Sequence, residues 1–419
     1  MSSYADSVEF LYSLGNETKA FKLGLQPVTL LLAELGNPQH AFRSVHVAGT
    51  NGKGSTCAMI ESGLRAAGLR TGLYTSPHLV NPTERIQIDG VPITAEAFAA
   101  AFETVHLAAA KLMSRGDLEA HPSYFETVTA MAFVVFRDCA VQTAVVEVGL
   151  GGRLDATNVI SPALTVITPI DYDHEAWLGS SLEQIAAEKA GILKPGVPAV
   201  LARQRPEVQH VLDEHIARLR VPAAAEFTQM EDLQLTAQGC SFRLGELALI
   251  CPLRGEHQAQ NALTAVNALL ALDIPPDAMQ RGILAVRWPG RLELVSKNPE
   301  LILDGAHNPA GALALADYIR RFYADRPVWL IYGAMRDKAV EEITELLFPL
   351  AAHVILTAPA MPRAVQPRTL LAMGDAARME TAPDIAAALT AARKAPPQAA
   401  IFVTGSLYLV GEARALLVQ

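Results

Sequence analysis

Short apolar runs rich in β-branched residues alternate along this chain with longer Ala/Leu-rich stretches. SVHVAG (44–49), TGLYTS (71–76), AVVEVG (144–149), LTVITPI (164–170) and PAVLA (198–202) are each apolar and each followed by Gly, Pro or a polar turn. That pattern predicts buried strands. STCAMIESGLRAAG (55–68) and SLEQIAAEKAGIL (181–193) predict helices between them, the second opened by Ser181 as N-cap. Strand and helix in alternation imply a mostly parallel sheet covered on both faces, with ligands beyond the carboxyl ends of its strands.

The rhythm changes near residue 233. LQLTAQGCSFRLGELALIC (233–251) predicts a small antiparallel region with turns at Gln238-Gly239 and Leu244-Gly245. A helix over 257–272 follows, stopped by Pro275-Pro276. SKNPE (296–300) is polar and carries a proline, the composition of an interdomain linker. Beyond it the alternation restarts with 300–305, 328–333, 353–359 and 400–406. The expected fold is therefore α/β: a large domain with a P-loop-type, mostly parallel sheet and a small antiparallel region (1–295), a linker (296–300), and a smaller Rossmann-like α/β domain (301–419).

Length and charge narrow the classes of function. At about 150 residues per domain, 419 residues give two or three domains. A hydrophobic fraction of 51% against 18% charged supports a large core. The net charge of −9 argues against broad binding to nucleic acid or anionic membrane. Mean hydropathy is +0.22, yet no unbroken apolar run reaches the roughly 18–20 residues of a membrane span. The N-terminal stretch has no basic start and no apolar core, so no signal peptide is expected and the chain reads as cytoplasmic. Cys57, Cys139, Cys240 and Cys251 form no CxxC pair and read as ordinary buried thiols.

The strongest chemical signal is HVAGTNGKGST (46–56), in which a strand runs into Gly49, Gly52 and Gly54 around Lys53 and a helix opens at Ser55. Inward-pointing N–H groups, a helix N-terminus and a lysine together suit phosphate. The strict phosphate-loop spelling would place Gly at 47 and Ser or Thr at 54, where this chain has Val47 and Gly54. Glu147 ends an apolar strand before GLGGRLDATN (149–158). It is placed either to hold Mg²⁺ or to cap a turn or pair with Arg153. His174 lies in a loop with Asp171, Asp173 and Glu175, open to the roles of ligand, proton carrier or surface residue. Lys189 sits in an otherwise apolar helical segment, where a lysine ordinarily snorkels to water. LILDGAHNP (301–309) and VTGSLYLV (403–410) place polar groups in turns after buried strands.

GTNGKGS, TSPHL (75–79), ERI (84–86), EVGLGGRLDATN (147–158), DHEAWLG (173–179), EKAGI (188–192), QNA (260–262), PGRLE (289–293), DGAHNP (304–309) and TGSLYLV (404–410) follow one another along nearly the whole chain. In this order they resemble the folylpolyglutamate synthase/dihydrofolate synthase branch of the Mur ligase superfamily, whose own form of the phosphate loop accommodates Val47 and Gly54. The resemblance implies an ATP-dependent amide ligase. ATP converts a substrate carboxylate to an acyl phosphate, and the amine of L-glutamate displaces the phosphate. It further implies a large domain for ATP and the pterin-containing acid and a smaller one for glutamate.

By the same resemblance Gly52, Lys53, Gly54 and Ser55 cradle the ATP phosphates, and Asn261, Arg291 and Asp304 contact the nucleotide. Ser76 and Glu147 hold one Mg²⁺ and His174 a second. Lys189 occupies a position often found as N6-carboxylysine, which would make it a further metal ligand. Lys53, His174 and Lys189 form the implied catalytic set. Ser123, Tyr124, Phe125 and Glu126, with Leu154, Asp155 and Ala156, match segments that contact dihydropteroate, and FKLGL (21–25) occupies another. His307 and Ser406 match the glutamate site. The expected ligands are small molecules (dihydropteroate, folates and L-glutamate) with no nucleic acid or membrane partner, and the expected state is a monomer. A ligase that only extends folate tails, and a cell-wall Mur ligase, are the alternatives. The cell-wall enzymes share the GTNGK loop and the DxxHNP turn but not GLGGRLDATN or TSPHL in these forms.

Overall fold

A computed structural model describes residues 3–15 and 24–418, so Phe21, Lys22 and Leu23 of the FKLGL segment lie outside the described residues. The chain packs as two compact units. The first comprises residues up to 170 together with 178–229 and 261–285, and the second comprises 171–177, 230–260 and 286 onward.

The first unit is built on seven strands: β1 (Arg43–Ala48), β2 (Thr71–Tyr74), β3 (Ile86–Ile88), β4 (Val91–Pro92), β5 (Thr143–Glu147), β6 (Leu164–Ile167) and β7 (Ala199–Leu201). Their order across the sheet is β4-β3-β2-β5-β1-β6-β7. The five strands from β2 to β7 in that order run parallel, and β3 and β4 add an antiparallel edge. All five residues of β5 are buried, as the unbroken apolar spelling requires of a strand covered on both faces. One face is covered by a cluster that includes Phe98, Phe102 and Val105 of the helix Ala95–Ser114 and Val128, Phe133 and Phe136 of the helix Tyr124–Asp138. Ile185, Val208 and Leu212 belong to a second cluster, with Ile167 and Ile170 at the end of β6.

In the second unit β8 (Glu231–Thr236), β9 (Gly239–Leu244) and β10 (Leu247–Cys251) form the antiparallel sheet expected near residue 233. The hydroxyl of Tyr318 donates to the Ala237 carbonyl at 2.8 Å, tying this sheet to the helix Pro309–Phe322. Six further strands, β11 (Glu293–Lys297), β12 (Glu300–Leu303), β13 (Val328–Tyr332), β14 (His353–Leu356), β15 (Met379–Thr381) and β16 (Ala400–Thr404), follow. They are ordered β11-β12-β16-β13-β14-β15, and only β11 runs antiparallel.

The packing therefore divides the chain differently from the expected 1–295, 296–300 and 301–419. Residues 296–300 are no linker: Ser296 and Lys297 end β11, Glu300 begins β12, and the two strands pair antiparallel. The polar Asn-Pro step reverses a strand, which is the other use of the same turn signal. The small antiparallel sheet, expected in the large domain, packs with the second unit.

Two helix ends also shift. The helix after the phosphate loop starts at Lys53, two residues before Ser55, and the one after Ser181 stops at Ala190, with Gly191 as its C-cap. The helix Glu256–Ala271 ends ahead of the prolines: Asp273 is left-handed, and the N–H groups of Asp273 and Ile274 close back on the Leu270 and Leu269 carbonyls, both at 3.0 Å, after which Pro276 opens the next helix, Pro276–Ala285.

Candidate active site

In the first unit the phosphate loop leaves β1 and turns into the helix Lys53–Ala66. Gly52 caps that helix with φ +83°, a left-handed backbone that glycine adopts without penalty. The loop is pinned from the β6 side, where the N–H groups of Thr50 and Asn51 donate to the Pro169 carbonyl at 2.9 and 3.2 Å. Lys53 Nζ donates to the Thr50 carbonyl at 3.1 Å, which folds the lysine over its own loop.

Glu147 ends β5, the strand beside β1, and is opposite Val47 in the register. Its carboxylate is buried, and Oε2 accepts the Ser76 N–H at 3.0 Å. Glu147 and Ser76 are therefore together. Their hydroxyl and carboxylate oxygens are the hard donors Mg²⁺ takes, usually completed by water and substrate phosphates. No cluster of three or more His, Cys, Asp or Glu with metal-holding geometry occurs among the described residues.

Lys189 does not snorkel. Its side chain is buried, and Nζ donates to the Gly49 carbonyl at 2.7 Å. As an ammonium it is a donor only and no metal ligand. Carbamylation would leave one N–H on Nζ for Gly49 and add two carboxylate oxygens, so the residue fits the N6-carboxylysine expectation. Cys57, buried one turn into the loop helix, has its thiol pushed well up by burial, with the Glu147 carboxylate adding to the effect. It is an inert packing residue.

The two expected pterin segments have clear local work. Ser123 and Glu126 form a capping box for the helix Tyr124–Asp138: the Ser123 N–H and hydroxyl donate to Glu126 Oε2 at 2.8 and 2.7 Å. Tyr124 is buried, stacked on Tyr12 at 5.8 Å and covered by the Arg85 guanidinium at 5.1 Å. Phe125 packs against Gly149 and Tyr74.

Asp155 is buried with Ala156, and its carboxylate accepts the N–H groups of Leu150 and Thr157 at 2.9 and 3.0 Å. Burial pushes this carboxyl up, against the lowering effect of those bonds. Asp155 thus holds the loop whose Leu154 and Ala156 flank it. Asn261, in the helix Glu256–Ala271, lies against Gly52, where any Cβ would collide with its Oδ1.

The second unit holds the rest. Asp304 directly follows β12 as a buried carboxylate that accepts the N–H groups of Leu292 and Ala306, both at 3.0 Å. The Arg291 guanidinium rests on Gly305, in space that a side chain there would fill. Ser406 is buried and caps the helix Leu407–Leu417 by accepting the Tyr408 N–H at 3.2 Å.

His174, with φ +53°, and His307 lie on either side of Asp173. His174 Nε2 is 3.8 Å from Asp173 Oδ1, and His307 Nε2 is 3.6 Å from Oδ2. Lys338 Nζ lies 2.6 Å from Asp173 Oδ1 and 3.4 Å from His174 Nε2. Nε2 of His174 thus lies within hydrogen-bond reach of the Lys338 ammonium and close to the Asp173 carboxylate. Burial alone would raise the Asp173 carboxyl. The His307, Lys338 and His174 contacts outweigh it and hold the group well below the usual carboxylate range.

Lys338 and Asp173 were not among the residues that the sequence assigned to the site. The signal for Lys338 was its place in the loop after β13, beyond the carboxyl end of a parallel strand.

Two parallel-stranded units, one with a phosphate loop and the other with a polar cluster after its strands, define an ATP-dependent ligase of the Mur type. The Mur ligase middle domain family matches residues 47–269, and the Mur ligase glutamate ligase domain family matches 290–407. The chain belongs to the dihydrofolate synthase/folylpolyglutamate synthase family within that class. It is 37% identical to the Mycobacterium tuberculosis dihydrofolate synthase/folylpolyglutamate synthase, over 94% of this chain and 89% of that one. It is 34% identical to the Bacillus subtilis protein of the same name, over 99% of each. The solved structure of M. tuberculosis folylpolyglutamate synthase complexed with ADP superposes with a TM-score of 0.92 at 35% identity, covering 100% of this chain and 99% of the other. E. coli FolC in complex with DHPP and ADP superposes with a TM-score of 0.87 at 31% identity, covering 99% of each. No helix among the described residues is long and apolar enough to cross a membrane.

Proposed function

We propose that the chain joins L-glutamate to dihydropteroate and to the glutamate tail of reduced folates, in each case through an acyl phosphate made with ATP. The observation that carries the reading is the adjacency of β1 and β5. It sets the Lys53 loop and the Glu147–Ser76 pair at the carboxyl ends of neighbouring strands. That is a phosphate cradle beside an oxygen-donor pair, the parts a phosphoryl transfer onto a carboxylate needs. The relatives named above match over nearly the whole chain and carry folate ligase names, which favours this reading over a cell-wall ligase.

The residues divide the work. The N–H groups around Gly52, Gly54 and Ser55 and the Lys53 ammonium bind and orient the ATP phosphates, and Asn261 buttresses the loop. Ser76 and Glu147 hold one Mg²⁺. His174 is proposed as the ligand of a second, and a carbamylated Lys189 would offer oxygens beside Gly49 of the loop. The metal supplies charge neutralisation while one anion approaches another. Tyr124, Phe125, Leu154 and Ala156 wall the acceptor acid on a loop fixed by Asp155, with Ser123 and Glu126 holding the helix end. Arg291 and Asp304 are assigned to the nucleotide, and His307 and Ser406 to glutamate. The first unit is thus assigned to ATP and the pterin acid and the second chiefly to glutamate. The reading takes the monomer as the working form.

Phosphate release from MgATP and L-glutamate, measured with dihydropteroate or tetrahydrofolate as acceptor, tests the reading. Turnover with both is expected. Turnover with tetrahydrofolate alone restricts the chain to tail extension. Folded protein silent with both overturns the reading and directs the search to UDP-linked acceptors.

A further inference from the structure

We propose that Asp173 is a positioning residue for the amino-acid substrate, acting by aiming the Lys338 ammonium; the proposal rests on the ligase reading above. Asp173 and Lys338 are each about 10% exposed in their side chains, and Oδ1 accepts from Nζ at 2.6 Å. An ammonium has three N–H donors. One is used by Asp173 and a second points at His174 Nε2, 3.4 Å away. The third is left for an anion. His307, whose Nδ1 faces the Gly305 carbonyl at 2.8 Å, is fixed on the other oxygen of Asp173. Asn308, the N-cap of the helix Pro309–Phe322, donates to that same oxygen at 3.4 Å.

The backbone that carries Lys338 is already held from the other side. The Arg336 N–H donates to the Arg363 carbonyl and the Val365 N–H to the Ala334 carbonyl, both at 2.9 Å. The Arg363 guanidinium reaches Asp337 at 3.2 Å. The lysine's four-carbon stem has rotatable bonds of its own, and the Asp173 carboxylate fixes its end. L-Glutamate brings two carboxylates, so a lysine aimed by a buried acid is a suitable receptor for one of them. Asp173 also accepts the His174 N–H at 2.9 Å and supports that residue's left-handed backbone.

Asp173→Asn keeps the shape and removes the charge, and Lys338→Gln removes the ammonium. Each single variant is expected to raise KM for L-glutamate about tenfold, the scale of one charge-assisted contact. ADP affinity, read by calorimetry, should stay within about twofold of wild type because the phosphate loop is untouched. The double variant should be no worse than either single one, since each removes the same contact. Asp173→Glu should recover part of the loss. Multiplying effects in the double variant, an unchanged KM for glutamate, or a matching loss of ADP binding and melting temperature would each overturn the proposal. If Asp173→Asn does not fold, Lys338→Gln with an unaltered glutamate KM is sufficient to overturn it. Wild-type protein without glutamate-dependent phosphate release would fail the ligase reading itself. An active wild type with unaffected variants would fail this inference alone.

Discussion

Gly52 and Asn261 are in such close contact that no side chain fits at position 52. The glycine caps the loop helix with a left-handed backbone, and the asparagine comes from a helix more than two hundred residues later in the chain. The phosphate cradle is thus a tertiary object, with its turn held from outside.

Gly52→Ala should therefore weaken nucleotide binding at least about tenfold, because the loop must move away from Asn261 and its N–H groups lose their aim. Left-handed strain adds about 1–2 kcal/mol of lost stability. Calorimetric titration with ADP, alongside urea unfolding, separates the two effects. Unchanged ADP affinity would remove the loop from the nucleotide site.

Lys189 makes a sharper test, because its charge is buried on a backbone carbonyl. Lys189→Met should cut turnover by about 10² or more if the residue supports the reacting phosphates. Stability should change by no more than about 1 kcal/mol, since an apolar chain of similar length replaces a desolvated charged group. Intact-mass measurement of wild type in bicarbonate buffer should show the added mass of one CO₂. A drop in unfolding free energy above about 2 kcal/mol, with activity retained, would make Lys189 a structural tether of Gly49.

The strands β1, β5 and β6 and the phosphate loop were legible because a doubly covered parallel strand has to be continuously apolar and the turn after it has to be glycine-rich. SKNPE was misread because a polar Asn-Pro step looks alike whether it joins domains or reverses a hairpin. The deciding fact is the pairing of Glu293–Lys297 with Glu300–Leu303, a tertiary property. Ser123, Glu126, Asp155 and Ser406 stood out as site residues, yet the bonds they make cap helices and turns. Short polar side chains after strands serve both ends, and only the hydrogen-bond partners tell them apart. Lys338 was missed for the opposite reason: a lysine in a polar loop resembles any solvated lysine until Asp173, 165 residues away, is placed beside it.

Asp155 distinguishes a loop-holding role from a contact with the acceptor. Asp155→Ala strands the Leu150 and Thr157 N–H groups in a buried turn and should cost about 2 kcal/mol of stability. KM for both acceptors should rise together, because Leu154 and Ala156 move with the loop. Urea unfolding and acceptor titrations check the pair of effects. A changed acceptor KM at full stability would instead make the carboxylate a direct contact.

His46 sets part of the acid limit of the fold. The ring is fully buried in β1, with Nε2 2.8 Å from the Thr157 hydroxyl, itself bonded to Asp155. Burial, reinforced by the Lys194 ammonium, lowers its pKa to about 3. An unfolded histidine titrates near about 6.5. Between those values the unfolded chain binds a proton that the folded chain refuses, so stability is complete above about pH 6.5 and falls as pH drops toward 3. The slope is about 1.4 kcal/mol per pH unit for this one residue, or about 2 kcal/mol between pH 6.5 and pH 5. His46→Gln, which can still bond Thr157, should remove that share. Urea unfolding at pH 7.5 and pH 5 should therefore show a smaller acid loss in the variant than in wild type. Equal losses in both would place the acid sensitivity elsewhere, with His78 next in line, since burial beside Arg85 lowers its pKa to about 3 as well.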